Sequence, residues 1–226
     1  MSIEYHLSEL QIALDETHPD HILPPSVWQS GKLLDVGCGA GQTLIAAYPG
    51  RVCVGLDIDA EALEFGRTLT DSVRFVNGRA EAMPFRNGEF DVVIARVSVP
   101  YTNVGLCLKE MRRVVRDGGD VWLVLHSFSV AWEQARASGL KGKIFFLYIL
   151  FNSLCFHLFG RQIPFVRGKY ESFQTESSMR RALAENDFCE VAITRTRHFL
   201  VKARASGSAE KRDEEAVAIG DASSGV

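Results

Sequence analysis

The chain has 226 residues, of which 46% are hydrophobic and 23% charged, an ordinary globular balance with enough residues for one sizeable core. A formal charge of −3 argues against a nucleic-acid binder, which needs a large basic surface. Five cysteines (Cys38, Cys53, Cys107, Cys155, Cys189) are odd in number, widely spaced and without a CxxC pair, which argues against a disulfide framework or a metal site and for the reduced thiols of a cytoplasmic protein.

The opening residues carry neither a basic nor an apolar leader region, so no secretory signal is expected. Residues 1–31 are polar and interrupted by Pro19, Pro24 and Pro25, with a short helix expected around 4–15. From Lys32 onward, short β-rich apolar runs alternate with helical patterns. Strands are expected at 32–36, 51–56, 73–77, 91–97, 120–126, 189–195 and 198–204, and helices near 42–48, 60–70, 104–116 and 176–186. This alternation predicts an α/β fold, a mostly parallel sheet with helices on both faces. Runs such as Val121-Trp122-Leu123-Val124-Leu125 suit central strands covered on both sides. Residues 127–170 break the alternation as an apolar helical insertion after strand five. The domain is expected to end near 205, and residues 206–226, rich in Ala, Ser, Gly and Glu, read as a disordered tail.

The chemistry begins at Leu33-Leu34-Asp35-Val36-Gly37-Cys38-Gly39-Ala40-Gly41, a strand running into a glycine turn and then a helix. Glycines let the backbone turn tightly and approach a ligand, and the helix start offers free N–H groups. Such a loop alone also fits a plain strand-to-helix turn. Its partner is Asp57, at the end of the second strand, whose carboxylate is placed to accept both hydroxyls of a ribose. A nicotinamide site has G-x-G-x-x-G. Here the third glycine follows at spacing two, and Asp35 precedes the loop, where a carboxylate can hold an ammonium group.

The ordered motifs LLDVGCGAG (33–41), GLDID (55–59), GRAEAMPF (78–85), FDVVIAR (90–96) and LKEMRRVVRDGG (108–119) resemble the class I, Rossmann-like S-adenosylmethionine-dependent methyltransferases of the UbiE/small-molecule type. The resemblance covers 33–126 and continues more weakly to about 204. It implies a seven-stranded sheet of order 3-2-1-4-5-7-6 with the last strand antiparallel, and S-adenosylmethionine as cofactor. Asp35, Gly37 and Gly39 would line its methionyl end, Asp57 would grip the ribose, and Ile58 would pack on the adenine. Ala80 and Glu81 would lie at the adenine edge and Arg96 on the floor of the active site. Arg79 stands where the family often has Asp, and Asp117 where its Pro-Gly-Gly turn begins. Ser98-Val99-Pro100-Tyr101 only superficially resembles the [DN]PP[YF] motif of amino-directed nucleic-acid methyltransferases, because the leading Asp or Asn is missing.

Methyl transfer from a sulfonium is an in-line displacement that rests on alignment and desolvation, with a base needed only where the nucleophile must lose a proton. His126, at the end of strand five, reads either as that base or as a strand-capping histidine. Tyr101 reads either as a substrate-orienting hydroxyl or as packing. The run from Ile144 to Phe159 falls short of the roughly 20 residues that span a bilayer. It reads as a core helix, as a cap over an apolar small-molecule acceptor, or as a peripheral membrane contact. Ser153, His157 and Arg161 would share one face of it. The leading function is methylation of a small, partly apolar molecule. The alternatives are a catalytically silent S-adenosylmethionine-binding protein acting through a partner and a nicotinamide-dependent oxidoreductase.

Overall fold

The structure, a computed structural model, describes residues 2–125, 132, 136, 139–164, 169–195 and 198–207. The described residues form one seven-stranded sheet: β1 Leu33–Val36, β2 Cys53–Asp57, β3 Val73–Asn77, β4 Phe90–Arg96, β5 Val115–Leu125, β6 Phe188–Arg195 and β7 Phe199–Ala205. Its order is β3-β2-β1-β4-β5-β7-β6. The first five strands run parallel, and β7 pairs antiparallel with both β5 and β6. This is the topology the motifs imply. The named helices are α1 Ile3–Leu14, α2 Gln42–Ala47, α3 Ala60–Leu69, α4 Val104–Val114, α5 Leu140–Phe159 and α6 Glu176–Ala184, with a 3-10 turn at Val99–Tyr101.

Successive side chains of a strand point to opposite faces, so each buried strand feeds two cores. Leu34, Val36, Val93 and Leu123 meet Leu108 and Met111 of α4 and Met179 and Leu183 of α6. Leu33, Ile94, Trp122 and Val124 meet Leu44 of α2, Tyr48 and Leu63 of α3. Each such side chain contributes roughly 1.5–3 kcal/mol on burial. The helices start where the sequence offers caps. Asp59 accepts from the N–H groups of Glu61 and Ala62, Asn103 from that of Leu106, and Thr175 forms a reciprocal box with Ser178.

Three boundaries depart from expectation. Helix α4 stops at Val114 and β5 begins at Val115, because Val115 pairs with Phe90 while Asp120 pairs with Val92. The extra residues between them loop out through Gly118, at φ +69°. Helix α5 starts four residues before the apolar run and ends at Gly160, whose left-handed conformation is a C-cap. Arg161 is therefore off the helix and does not share the face of Ser153 and His157. Ser206 is fastened at both ends, its N–H to the Asp187 carbonyl (2.9 Å) and its carbonyl to Arg112 (2.7 Å). Residues 208–226 lie outside the described residues.

Candidate active site

The glycine loop leaves β1 at its carboxyl end, the face on which open α/β sheets bind ligands. Gly37, Gly39 and Gly41 all have positive φ. At Gly37 a Cβ would strike Ser98 Cβ, so the backbone there has no room for a side chain. The loop is held by the Gly37 and Cys38 N–H groups on the Leu56 carbonyl (2.7 and 3.0 Å) and by the Gly39 N–H on Asp57 Oδ2 (2.7 Å). Ser98 Oγ donates to the Val36 carbonyl (2.5 Å) from beneath. Val97, just before it, has φ +62°, a strained conformation for a β-branched residue that lies on the cavity wall.

A cavity of about 1030 Å³ opens above this loop. It brings together Gly37, Gly39, Asp57, Ile58, Ala80, Glu81, Arg96 and Tyr101, eight of the ten residues singled out from the sequence. Asp57 takes the Gly39 N–H on one oxygen and the Asp59 N–H on the other (2.9 Å), which fixes the carboxylate while each oxygen keeps a lone pair. Ile58 is 63% exposed, an apolar platform at the rim. Glu81 accepts from the Asn103 N–H (3.1 Å) and lies 3.4 Å from Arg79, so it secures the start of α4 as well as the wall. Arg96 donates to Thr43 Oγ1 (3.1 Å) and pairs with Glu9 (2.6 Å).

Asp35 is not a wall residue. It is buried behind the loop, and neither carboxylate oxygen has a hydrogen-bond partner among the described residues. Burial pushes its carboxyl up to about 7, with the Arg96 guanidinium pulling the other way and Asp57 adding repulsion. His126 lies outside the described residues.

Helix α1 supplies residues that no motif announces: Tyr5, His6, Glu9 and Ile12 line the same cavity. Gln42 ties this helix to the loop. Its Oε1 accepts from the Ala40 N–H (3.1 Å), which leaves Nε2 to donate to His6 Nδ1 (3.0 Å) and the His6 carbonyl (3.3 Å). His6 Nδ1 is thus an acceptor, and the ring proton sits on Nε2. That Nε2 is buried and has no partner among the described residues. Burial also lowers the His6 pKa, which keeps the ring neutral. The only signal in the sequence is the spacing of Tyr5, Glu9 and Ile12 along one helical face.

The two orphaned polar groups describe a ligand. Buried acceptors on Asp35 suit an ammonium, and a buried donor on His6 beside Gly39 suits a carboxylate. The amino-acid end of S-adenosylmethionine has both. Farther along, Ile12, Ile22, Leu56, Val124 and Leu125 make an apolar wall, and Tyr101 stands among Ser98 and Thr102. Burial, Glu171 and Tyr5 push the Tyr101 phenol up to about 12.

Sheet order, glycine loop, strand-end aspartate and this ligand chemistry match the fold and site pattern of class I methyltransferases. Residues 34–123 match the family model described as a methyltransferase domain, and this match, the relatives and the fold together support a class I S-adenosylmethionine-dependent methyltransferase, a family whose methyl donor is S-adenosylmethionine. It is 32% identical over 102 residues to the uncharacterized methyltransferase YcgJ of Bacillus subtilis, covering 42% of this chain and 40% of that protein. It is 29% identical over 180 residues to the demethylmenaquinone methyltransferase of Staphylococcus aureus, covering 72% of this chain and 69% of that protein. For YcgJ and several other curated relatives the match spans less than half of their length. The fold is shared with geranyl diphosphate C-methyltransferase of Streptomyces coelicolor, solved with S-adenosyl-L-homocysteine. The TM-score is 0.53 and the identity 18%, over 78% of this chain and 70% of that one.

Proposed function

We propose that the protein transfers a methyl group to a small, partly apolar acceptor. The observation that carries this reading is the cavity. Its volume of about 1030 Å³ lies at the upper end of the roughly 300–1,000 Å³ of ligand pockets, which suits a cofactor with a small acceptor beside it. Its lining combines the polar groups described above with the apolar side chains of Ile12, Ile22, Val124 and Leu125. When bound, the cofactor supplies an electrophilic methyl on a sulfonium. Asp57 and His6, beside the bare backbone of Gly37 and Gly39, are the cavity residues that would hold it, with the Asp35 carboxyl acting from behind the loop.

The rest of the chain's work is alignment and exclusion of water. Tyr101, with its phenol near 12, stays protonated at neutral pH and serves as a hydrogen-bond donor that orients the acceptor, not as a base. Demethylmenaquinone and geranyl diphosphate, named in the relatives above, combine polar and apolar parts in the way this wall would accommodate. Orphaned acceptors at Asp35 favour a cofactor with an ammonium over a nicotinamide dinucleotide.

Two measurements test the reading. Asp57→Ala should weaken S-adenosylmethionine binding in calorimetry by about 1.5–3 kcal/mol, the range for a hydrogen bond to a charged group. Extract incubated with the protein and heavy-methyl cofactor should yield a labelled small molecule extractable into organic solvent. Unchanged affinity in a folded Asp57→Ala protein would remove that residue from the site, and label appearing only in polar macromolecules would overturn the acceptor class.

A further inference from the structure

Helix α5 is 20 residues long and apolar enough to cross a membrane by length and composition. Its packing forbids that. One face is fastened to the domain. Phe146, Ile149 and Phe156 are buried, Asn152 Oδ1 accepts from the Ile163 N–H (2.8 Å), and Ser153 Oγ accepts from the Phe173 N–H (3.0 Å). Arg181 of α6 donates to the Phe156 and His157 carbonyls (2.7 and 2.8 Å). A helix held by polar contacts along one side cannot also be surrounded by hydrocarbon.

The other face is bare. Leu140, Ile144, Leu147, Leu154 and Leu158 recur at helical spacing along it, each more than half exposed, and Phe159 extends it. An apolar stripe of that length on a water-exposed surface marks an interaction site. The sequence of the helix and its flanks is basic. From residue 134 to 170 the sequence contains no Asp or Glu but six basic residues, in a chain whose net charge is −3. Lys141 and Lys143 are exposed at the start of the helix and Arg161 just past its end. Glu185 lies beside Gly160 at the far end of the helix, so the basic excess is concentrated at its start, where Lys141 and Lys143 are exposed. An anionic lipid surface complements both the apolar stripe and these lysines.

We propose that the exposed face of α5 docks on an anionic membrane, with the helix lying in the plane of the interface and the domain above it. The segment after α5 then links this surface to the cavity. Gln162 accepts from the Val104 N–H (2.8 Å) and donates to the Thr102 carbonyl (3.1 Å), and the Ser172 N–H donates to the Pro100 carbonyl (3.0 Å). Those contacts flank Tyr101 and Thr102 on the cavity wall. Docking would hold the acceptor side of the site close to lipid, a consequence that rests on the proposed acceptor, whereas the docking itself does not.

Co-sedimentation tests it. The full chain should pellet with vesicles of equal parts phosphatidylcholine and phosphatidylglycerol, and much less with phosphatidylcholine alone or at high salt. Leu147→Asp with Leu154→Asp should abolish pelleting while S-adenosylmethionine affinity, read by calorimetry, stays unchanged. Lys141→Gln and Lys143→Gln should each weaken it by about fivefold, the effect of one charge near an anionic surface. Absence of pelleting with either vesicle overturns the proposal. So does a lipid-free dimer, seen by light scattering, that the Leu147→Asp and Leu154→Asp pair dissolves.

Discussion

Asp35 should make the ligand-free protein less stable as the pH rises, and removing its charge should reverse that. In the folded chain its carboxyl sits at about 7 against an ordinary value of 3.8. Between those two values the unfolded chain has released the proton and the folded chain has kept it. Unfolding is therefore favoured with rising pH, at about 1.4 kcal/mol per unit, and the loss levels off above pH 7. The full effect is on the order of 4 kcal/mol. Asp35→Asn cannot ionise, so its stability relative to the parent should be near even at pH 4 and should climb by about 1.4 kcal/mol per unit to pH 7. Urea unfolding of both proteins without cofactor at pH 4, 5.5, 7 and 8 reads this directly. The same substitution removes the charged acceptor offered to an ammonium and should weaken S-adenosylmethionine binding by about 1.5–3 kcal/mol. The expected result is a protein that is more stable and binds less well. A stability difference that stays flat from pH 4 to 8 would refute the buried-charge reasoning, and undiminished binding would refute the role in the site.

Gly66 in α3 should not accept even a methyl group. A Cβ there would lie 2.6 Å from Phe75 Cζ and 2.9 Å from the Ala40 carbonyl oxygen, so Gly66→Ala should cost about 1–3 kcal/mol despite its better helix propensity. Thermal unfolding should show the melting point lower by roughly 2–4 °C per kcal/mol, and a rise would contradict the close packing of α3 on the loop. Tyr101→Phe should lower kcat/KM about fivefold, the loss of one hydrogen bond, with cofactor affinity unchanged. Because the phenol sits near 12, no rate inflection below about pH 10 should belong to it. An inflection near neutrality that vanishes in Tyr101→Phe would show it acting as a base.

What could be read from the sequence was whatever is local and repeated in order. The loop at Gly37–Gly41 and the strand-end Asp57 lie within one β-loop-α-β stretch, so spacing alone places them together, and the sheet order follows from the resemblance those motifs support. The α1 residues were not legible. Tyr5, His6 and Glu9 reach the cavity only because Gln42 and Arg96 hold the helix over the loop, contacts that join positions 36 and 87 residues apart. Asp35 was legible as a polar residue before the loop, but its burial was not, since that follows from β1 lying between β2 and β4 in the sheet. The start of α5 was misjudged for a local reason: Lys141 and Lys143 look like a flank but are good helix formers, whereas the apolar run and the helix both end at Phe159, before the Gly160 cap.

The place of β7 in the sheet has a consequence for how the chain is made. β6 pairs with β7 and with no other described strand, and β7 fills the gap between β6 and β5. During synthesis β6 emerges first and has nothing to bond to, while β5 shows an open edge rich in Val, Leu and Trp. Both stay unsealed until residues 199–205 leave the ribosome. The half of the sheet that carries the glycine loop and Asp57 has all its partners by residue 125, so it can form much earlier. A stalled or prematurely terminated chain would thus present a nearly finished cofactor cleft beside a sticky strand edge, the kind of species that chaperones bind and proteases clear.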